Sequence, residues 1–352
     1  MTFWPFYPRK FGALGNSTTD DLAALDACYT AAQNAIQGGE SAAIYWEPGA
    51  KYGVSGPYYG VKNKHVHLYG RGAVIMALST FTSASHEGVF QVNASADPSL
   101  INLLIQDFTI DINDKNAYGL SCDYASATDT WEIKKSTFRN ITVKNNLAGK
   151  HCFFFRNLEN SVKIENPIVD GWRSTNALPT AAIYCEDRGS GANNGNFYIT
   201  NPMIGTLSGD VGSPGSYTEG GLGIWIRANG HRINRCYVRG GQLFNWNNHA
   251  DQGSINCTGV LVDSNDSGAG EKASRTFGIM DLNIEDFKYS IQAKVTGGGS
   301  IRNLQARNVS MEYKNPAAES GVRMIEIGTG AISGKLKDLF CMTQVNNATA
   351  VH

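Results

Sequence analysis

From about residue 88 onward, short apolar runs and polar turns recur along the chain at offsets of roughly 23 to 40 residues, a solenoid spacing. Each unit opens with a short apolar strand, as in Gly88-Val-Phe-Gln-Val, and the same pattern returns at 119–123, 151–155, 182–186, 223–227, 290–294 and 321–325. A polar turn follows, and then a second strand in which Ile or Val stands beside Asn or Asp, at 105–110, 135–141, 164–169, 197–204, 233–238, 301–306 and 336–341. A unit this short cannot bury its own apolar face, so successive coils must stack and share one core. Their separation is then the strand spacing, about 4.8 Å. The segment 240–285 fits the repeat poorly and the Gly-rich stretch 205–222 interrupts it. Both read as insertions leaving one face, where solenoids keep their function.

Ahead of the repeat the period changes. Leu22, Leu25, Cys28, Ala32, Ala35 and Ile36 recur at helical spacing, and Gly38-Gly39 stops the run. Ser17, Thr18, Thr19 and Asp20 offer N-caps, and Asp20 and Asp21 suit the positive end of the helix dipole. A strand at 43–49 ending in Pro48-Gly49 and an alternating strand at 65–72 follow. The pattern thus predicts an all-β chain: residues 1–40 as an N-terminal segment with a helix, and 41–352 as one continuous solenoid with loops near 205–222 and 240–285.

Composition narrows the partners. Charged residues are 17% of the chain and the formal net charge is −1, so no overall basic field points to nucleic acid or an anionic membrane surface. No stretch reaches the roughly 20 apolar residues needed to span a bilayer, and the N-terminal residues lack a core of signal-peptide length. Seven cysteines in a chain with ample core, three of them (Cys122, Cys152, Cys185) recurring about once per coil, read as buried thiols rather than a disulfide framework.

The run 11–25, Phe-Gly-Ala-Leu-Gly-Asn-Ser-Thr-Thr-Asp-Asp-Leu-Ala-Ala-Leu, resembles the entry motif of the pectate-lyase-like (pectate lyase 3) group. The run 45–56, Tyr-Trp-Glu-Pro-Gly-Ala-Lys-Tyr-Gly-Val-Ser-Gly, resembles the strand–turn–strand that follows it there, and 68–72 resembles the next coil. The likeness covers 11–75; the later coils match in pattern. It implies a right-handed parallel β-helix whose N-terminal helix caps the open end. That group includes bacteriophage tailspike depolymerases, polysaccharide lyases, glycosidases and epimerases, so the motif leaves the reaction open. It also implies a homotrimer, as spikes of this kind form.

Alternation in the opening strands puts Asp123, Phe155, Glu186, Arg227 and Lys294 on one outward column, and Tyr184 and Trp225 on its neighbour. Asp123 and Glu186, two coils apart, would stand about 9.6 Å from backbone to backbone. Side-chain lean brings such a pair toward the roughly 6.5–9.5 Å of an inverting glycosidase. Arg227 would orient a substrate carboxylate, and Tyr184 and Trp225 would offer flat faces to sugar rings. Asp187 is a second acid if the strand stops at Cys185. The cluster Trp246, His249 and Asp251 offers a base with an orienting partner. Outward charges on a β-helix are otherwise a solvated face of cross-strand pairs. His231 lies in Asn-Gly-His-Arg, but the signatures that accompany Gly-His-Gly in polygalacturonases are absent. Asp111-Ile-Asn-Asp-Lys-Asn lacks the Gly and terminal Glu of an EF-hand, and no Cys/His spacing supports zinc.

These readings predict a tailspike-like depolymerase that hydrolyses a bacterial capsular or exopolysaccharide with Glu186 and Asp123 as its acid pair. It would work on a virion tail, or outside the cell if bacterial, without cofactor. The alternatives are a polysaccharide lyase, with Arg227, His249 or Tyr184 as base and calcium as an auxiliary, and a non-catalytic glycan-binding shaft.

Overall fold

The computed structural model describes residues 3–37, 41–61, 66–84, 87–92, 99–122, 132–146, 150–156, 158–159, 161–172, 180–187, 194–205, 222–229, 232–244, 258–266, 273–274, 276–285, 287, 289–297, 299–313, 323–328 and 331–343. Among the described residues strand makes up 68% and helix 9%, an all-β structure.

Each coil contributes strands to three parallel ladders. The first runs from Phe3–Phe6 and Ser41–Tyr45 through Val162–Glu165, Asn194–Thr200 and Arg232–Arg239 to Ala331–Thr343. The second, in the same 22-stranded sheet, includes Lys51–Val54, Thr142–Asn146, Ile168–Trp172 and Asn283–Glu285. The third is a separate sheet of nine strands, from Tyr58–Val61 to Arg323–Ile327. Long parallel sheets of this kind are consistent with a right-handed β-helix. The stretch 240–285, set aside by the sequence pattern, carries the strands Gln242–Phe244, Thr258–Asp266, Phe277–Met280 and Asn283–Glu285, all paired with the coils on either side.

Stacked apolar columns form the shared core. In the first ladder Ile44, Leu68, Ile105, Phe138, Ile164, Ile199 and Val238 follow one another, each almost wholly buried. Cys28, Cys122, Cys152, Cys185 and Cys236 are buried thiols, and burial pushes those of Cys28 and Cys152 up to about 12. These cysteines serve as small apolar residues.

The turn between the first and second ladders is made by short polar side chains that tolerate a left-handed backbone. Asp107, Asn140, Asn166 and Asn201 all have φ between 50° and 62°. Their side chains join from coil to coil: Asn140 Nδ2 donates to Asp107 (2.8 Å), Asn166 to Asn140 (2.8 Å) and Asn201 to Asn166 (3.1 Å). That explains the Asn and Asp that recur beside Ile and Val in the second strands.

At the N-terminal end the helix Leu22–Gln37 buries Leu25, Cys28, Tyr29 and Ala32 in the core shared with the first coils. Asp20 Oδ1 accepts from Leu22 N–H (3.2 Å), as a capping residue does. Ser17, Thr18 and Thr19, which the sequence offers as caps, lie instead in the strand Asn16–Asp20. Asp21 is also turned away from the helix, its carboxylate accepting from Leu14 and Gly15 N–H at 2.7 and 3.1 Å.

Candidate functional site

The third ladder holds the opening strands, and its register decides which side chains share a face. Val92, Cys122, Phe155, Cys185, Ile226, Val262 and Ala293 stack in one column and point inward. Phe155 is therefore a core residue and not part of an outward column. Its side chain is fully buried, edge-on to Phe138 at 5.1 Å. One residue on, Arg156, Glu186, Arg227, Asp263 and Lys294 form an outward column with charges that alternate from rung to rung. Arg156 Nε lies 3.4 Å from Glu186, and Arg227 Nε lies 3.4 Å from Asp263.

The neighbouring outward column, Ser121, Phe154, Tyr184, Trp225, Leu261 and Gln292, is apolar in its middle. Phe154 and Tyr184 rings are parallel at 5.4 Å, and Tyr184 meets Trp225 at 4.7 Å. His151 lies against this stack, 4.5 Å from Tyr184 and 5.7 Å from Tyr118. Its Nδ1 accepts from Ala181 N–H at 2.8 Å, which leaves the proton on Nε2. Desolvation lowers the imidazole pKa to about 3, so His151 stays neutral. The guanidinium groups lean onto this stack: Arg156 Cζ lies 5.3 Å from the Phe154 centroid and Arg227 Cζ 5.5 Å from that of Trp225. Arg227 also donates to the Tyr184 hydroxyl.

Tyr184 is only 5% exposed and its faces are occupied by protein rings, so it braces the site rather than offering a bare platform. Trp225 is more open, and its Nε1–H is buried without a hydrogen-bond partner among the described residues. Asp263 Oδ1 is likewise buried and unpartnered there. Desolvation raises the Asp263 carboxyl pKa, against the opposing pull of Arg227 and Lys294. A desolvated acid and an indole N–H, each with a polar atom unpartnered among the described residues, and a guanidinium beside them can together engage hydroxyl groups and move a proton.

Glu186, Arg227 and Lys294 share the column the sequence assigns them, and Tyr184 and Trp225 share its neighbour. The strand does not stop at Cys185 but runs through Asp187, whose backbone pairs with Ala228. Asp123, Trp246, His249, Asp251 and His231 lie outside the described residues. Arg156 and Asp263 were not anticipated. Gly259-Val-Leu-Val-Asp reads like Gly223-Ile-Trp-Ile-Arg, and that likeness is the signal that finds Asp263. The Asp111 turn is satisfied internally: Asn145 Nδ2 and Asn113 N–H donate to its Oδ1 at 2.9 and 3.0 Å, and Lys144 Nζ lies 3.2 Å from its Oδ2. That turn is therefore a charge-paired corner. No cluster of three or more His, Cys, Asp or Glu suited to a metal occurs among the described residues.

No protein-family model and no curated protein matches the chain. Among solved structures it is similar to the endo-xylogalacturonan hydrolase of Aspergillus tubingensis. The match has 13% identity and a TM-score of 0.56 and covers 99% of this chain and 95% of the other. It is similar also to the ORF18 protein of Geobacillus virus E2, at 13% identity and a TM-score of 0.52, over 97% of this chain and 62% of the other. The A-module of a mannuronan C-5 epimerase from Azotobacter vinelandii aligns over the full length of both chains at 15% identity and a TM-score of 0.45. The chain has the fold of the pectate-lyase-like parallel β-helix proteins.

Proposed function

We propose that the chain is a polysaccharide depolymerase that hydrolyses glycosidic bonds along the third ladder, with Asp263 as general acid and Glu186 as base. The observation that carries this reading is Asp263 itself: a carboxyl with its pKa raised by burial and one oxygen unpartnered among the described residues, two rungs from a second carboxylate. Two rungs put their backbones about 9.6 Å apart, near the upper end of the separation that leaves room for a water in an inverting mechanism. Arg156 Nε, 3.4 Å from Glu186 Oε2, holds that carboxylate in place on the column. Arg227, between the two acids, holds the substrate in register with them, and Trp225 Nε1–H donates to a sugar hydroxyl. Asp123, Asp187 and the Trp246, His249 and Asp251 cluster remain secondary candidates on the same reading, and Lys294 binds substrate at the column's end.

This reading keeps the wider picture drawn from the resemblance: a bacterial capsular or exopolysaccharide as substrate, a virion tail or extracellular location, a homotrimer, a helix that caps residues 41–352, and no cofactor. Elimination is less favoured. Burial pushes the Tyr184 phenol up, and the pKa of Arg227 is raised by Tyr184 and Asp263, so neither releases a proton readily.

A panel of bacterial polysaccharides, read for new reducing ends and for the ultraviolet absorbance of unsaturated uronides, tests the proposal. Reducing ends without absorbance, abolished by Asp263→Asn and by Glu186→Gln, are expected. Absorbance rising with the reducing ends would make the chain a lyase, and retention without cleavage would make it a binding shaft.

A further inference from the structure

The first ladder carries a second pattern far from this column. From Asn194 onward its strands hold Arg235, Arg239, Arg302, Arg307, Lys335 and Lys337, all exposed, while the acids of the same strands among the described residues are Asp338, at the turn, and Glu312, which pairs beyond it in the second ladder. Register sorts several of them into columns. Arg239, Met280, Arg307 and Lys337 follow one another, and beside them run Tyr198, Tyr237, Gly278, Gln305 and Lys335. Asp281 and Asp338, at the turn, reach Arg239 (3.1 Å) and Arg307 (3.8 Å) and offset part of this charge, while no ion pair is found for Arg235, Lys335 or Lys337 among the described residues. Tyr198 and Tyr237 are half-buried and parallel, their centroids 5.8 Å apart. Space for the Tyr237 ring comes from Gly278, where a Cβ would fall 2.4 Å from Tyr237 Cδ1. A net charge of −1 conceals this face because acids elsewhere cancel it.

We infer that this C-terminal part of the first ladder is a second glycan-binding surface, selective for polysaccharides that carry carboxylates. Cations repeat along the axis in steps of about 4.8 Å or its multiples, so one chain laid along the solenoid meets positive charge on the rungs of Arg232–Arg239, Ser300–Tyr313 and Ala331–Thr343. Guanidinium groups take carboxylates in two parallel hydrogen bonds, and the tyrosine pair supplies apolar contact for the sugar backbone. The inference rests on the glycan reading above and assigns this surface to binding, apart from the cleavage column.

The test uses the whole chain with alginate and polygalacturonate as carboxylated probes, dextran as the neutral control and double-stranded DNA as an unrelated polyanion. Binding is followed by affinity electrophoresis across a salt series. Wild type is expected to hold the carboxylated polymers, to release them as salt rises and to pass dextran. Arg307→Glu with Lys337→Glu should weaken that binding by about tenfold or more, the scale of losing two charge-assisted contacts. Tyr237→Ala should weaken it with the salt dependence unchanged. Unaltered binding in the charge-reversed variant, equal retention of dextran, or tighter retention of DNA overturns the inference. Asp263→Asn in parallel separates the two proposals. Loss of cleavage with binding intact upholds both, whereas cleavage that survives Asp263→Asn overturns only the assignment of the acid.

Discussion

On the third ladder the outward charges run Arg156, Glu186, Arg227, Asp263, Lys294, alternating in sign, whereas the first ladder sets Arg239, Arg307 and Lys337 in one column, with Asp281 and Asp338 at the turn beside it. Both faces have the same backbone and the same rung spacing, so the difference lies in the side chains. An alternating column neutralises itself, and its members can be packed close: Arg156 and Glu186 are 9% and 5% exposed at the side chain. A like-sign column repels itself and must stay in water, where Arg239 and Arg307 are 69% and 66% exposed. The first arrangement holds groups in place for chemistry; the second waits for an outside counter-charge.

The largest expected effect separates the faces by activity. Asp263→Asn should reduce cleavage by about 10²–10⁴-fold, the usual contribution of a general acid, while Arg307→Glu leaves cleavage of a short oligosaccharide unchanged. Equal losses in the two variants would mean that the faces are one site. The raised pKa of Asp263 also places the alkaline limb of kcat/KM above the ordinary carboxylate range, measurable as a pH profile.

Stability should separate them next. Glu186→Ala removes the carboxylate 3.4 Å from the buried Arg156 and is expected to cost about 3–5 kcal/mol by urea unfolding. Replacing both Arg156 and Glu186 by Met should recover most of that loss, because it removes the buried cation together with its carboxylate. A single-mutant cost below about 1 kcal/mol would show the column to be solvated, as an ordinary surface pair is.

A smaller effect follows from His151. Its folded pKa, about 3, lies below the unfolded value of about 6.5, so its contribution is present above pH 6.5 and is lost as the pH falls toward 3. Wild type should therefore lose up to about 1.4 kcal/mol per pH unit more than His151→Gln across that window. Parallel slopes in the two proteins would mean that the imidazole is not held neutral by the Tyr118, Phe154 and Tyr184 rings.

The coil repeat, the helix and the outward placement of Glu186, Arg227, Tyr184 and Trp225 were legible in the sequence because apolar alternation is a local signal. The slip at Phe155 came from three consecutive phenylalanines: with no polar residue to mark the phase, a one-residue shift leaves the apolar count unchanged while exchanging the two faces. Residues at the corner add to the difficulty, since Cys152 and Phe153 are adjacent and both belong to the core. Asp263 was hidden because its coil is bounded by long non-repeating stretches, and the ladder pairing that restores it is non-local. The ion pairs, and the desolvation behind each pKa shift, depend on side-chain packing that no single strand encodes.

The smallest effect tests self-repulsion directly. Lys337 follows Arg307 in its column at about 4.8 Å, and like charges in that relation are destabilising by a few tenths of a kcal/mol. Lys337→Gln should therefore stabilise the fold slightly at low salt, read as a small rise in Tm. Screening shortens the reach of exposed charges to about 10 Å at 0.1 M salt and 3 Å at 1 M, so the gain should vanish in concentrated salt. The same substitution should weaken retention of polygalacturonate, since the charge that strains the free face is the one that meets a carboxylate. Stability and binding moving in opposite directions on one residue is the signature of a face kept for a partner. A loss of stability that ignores salt would instead make Lys337 a packing residue, and the contrast between the two ladders would fail there.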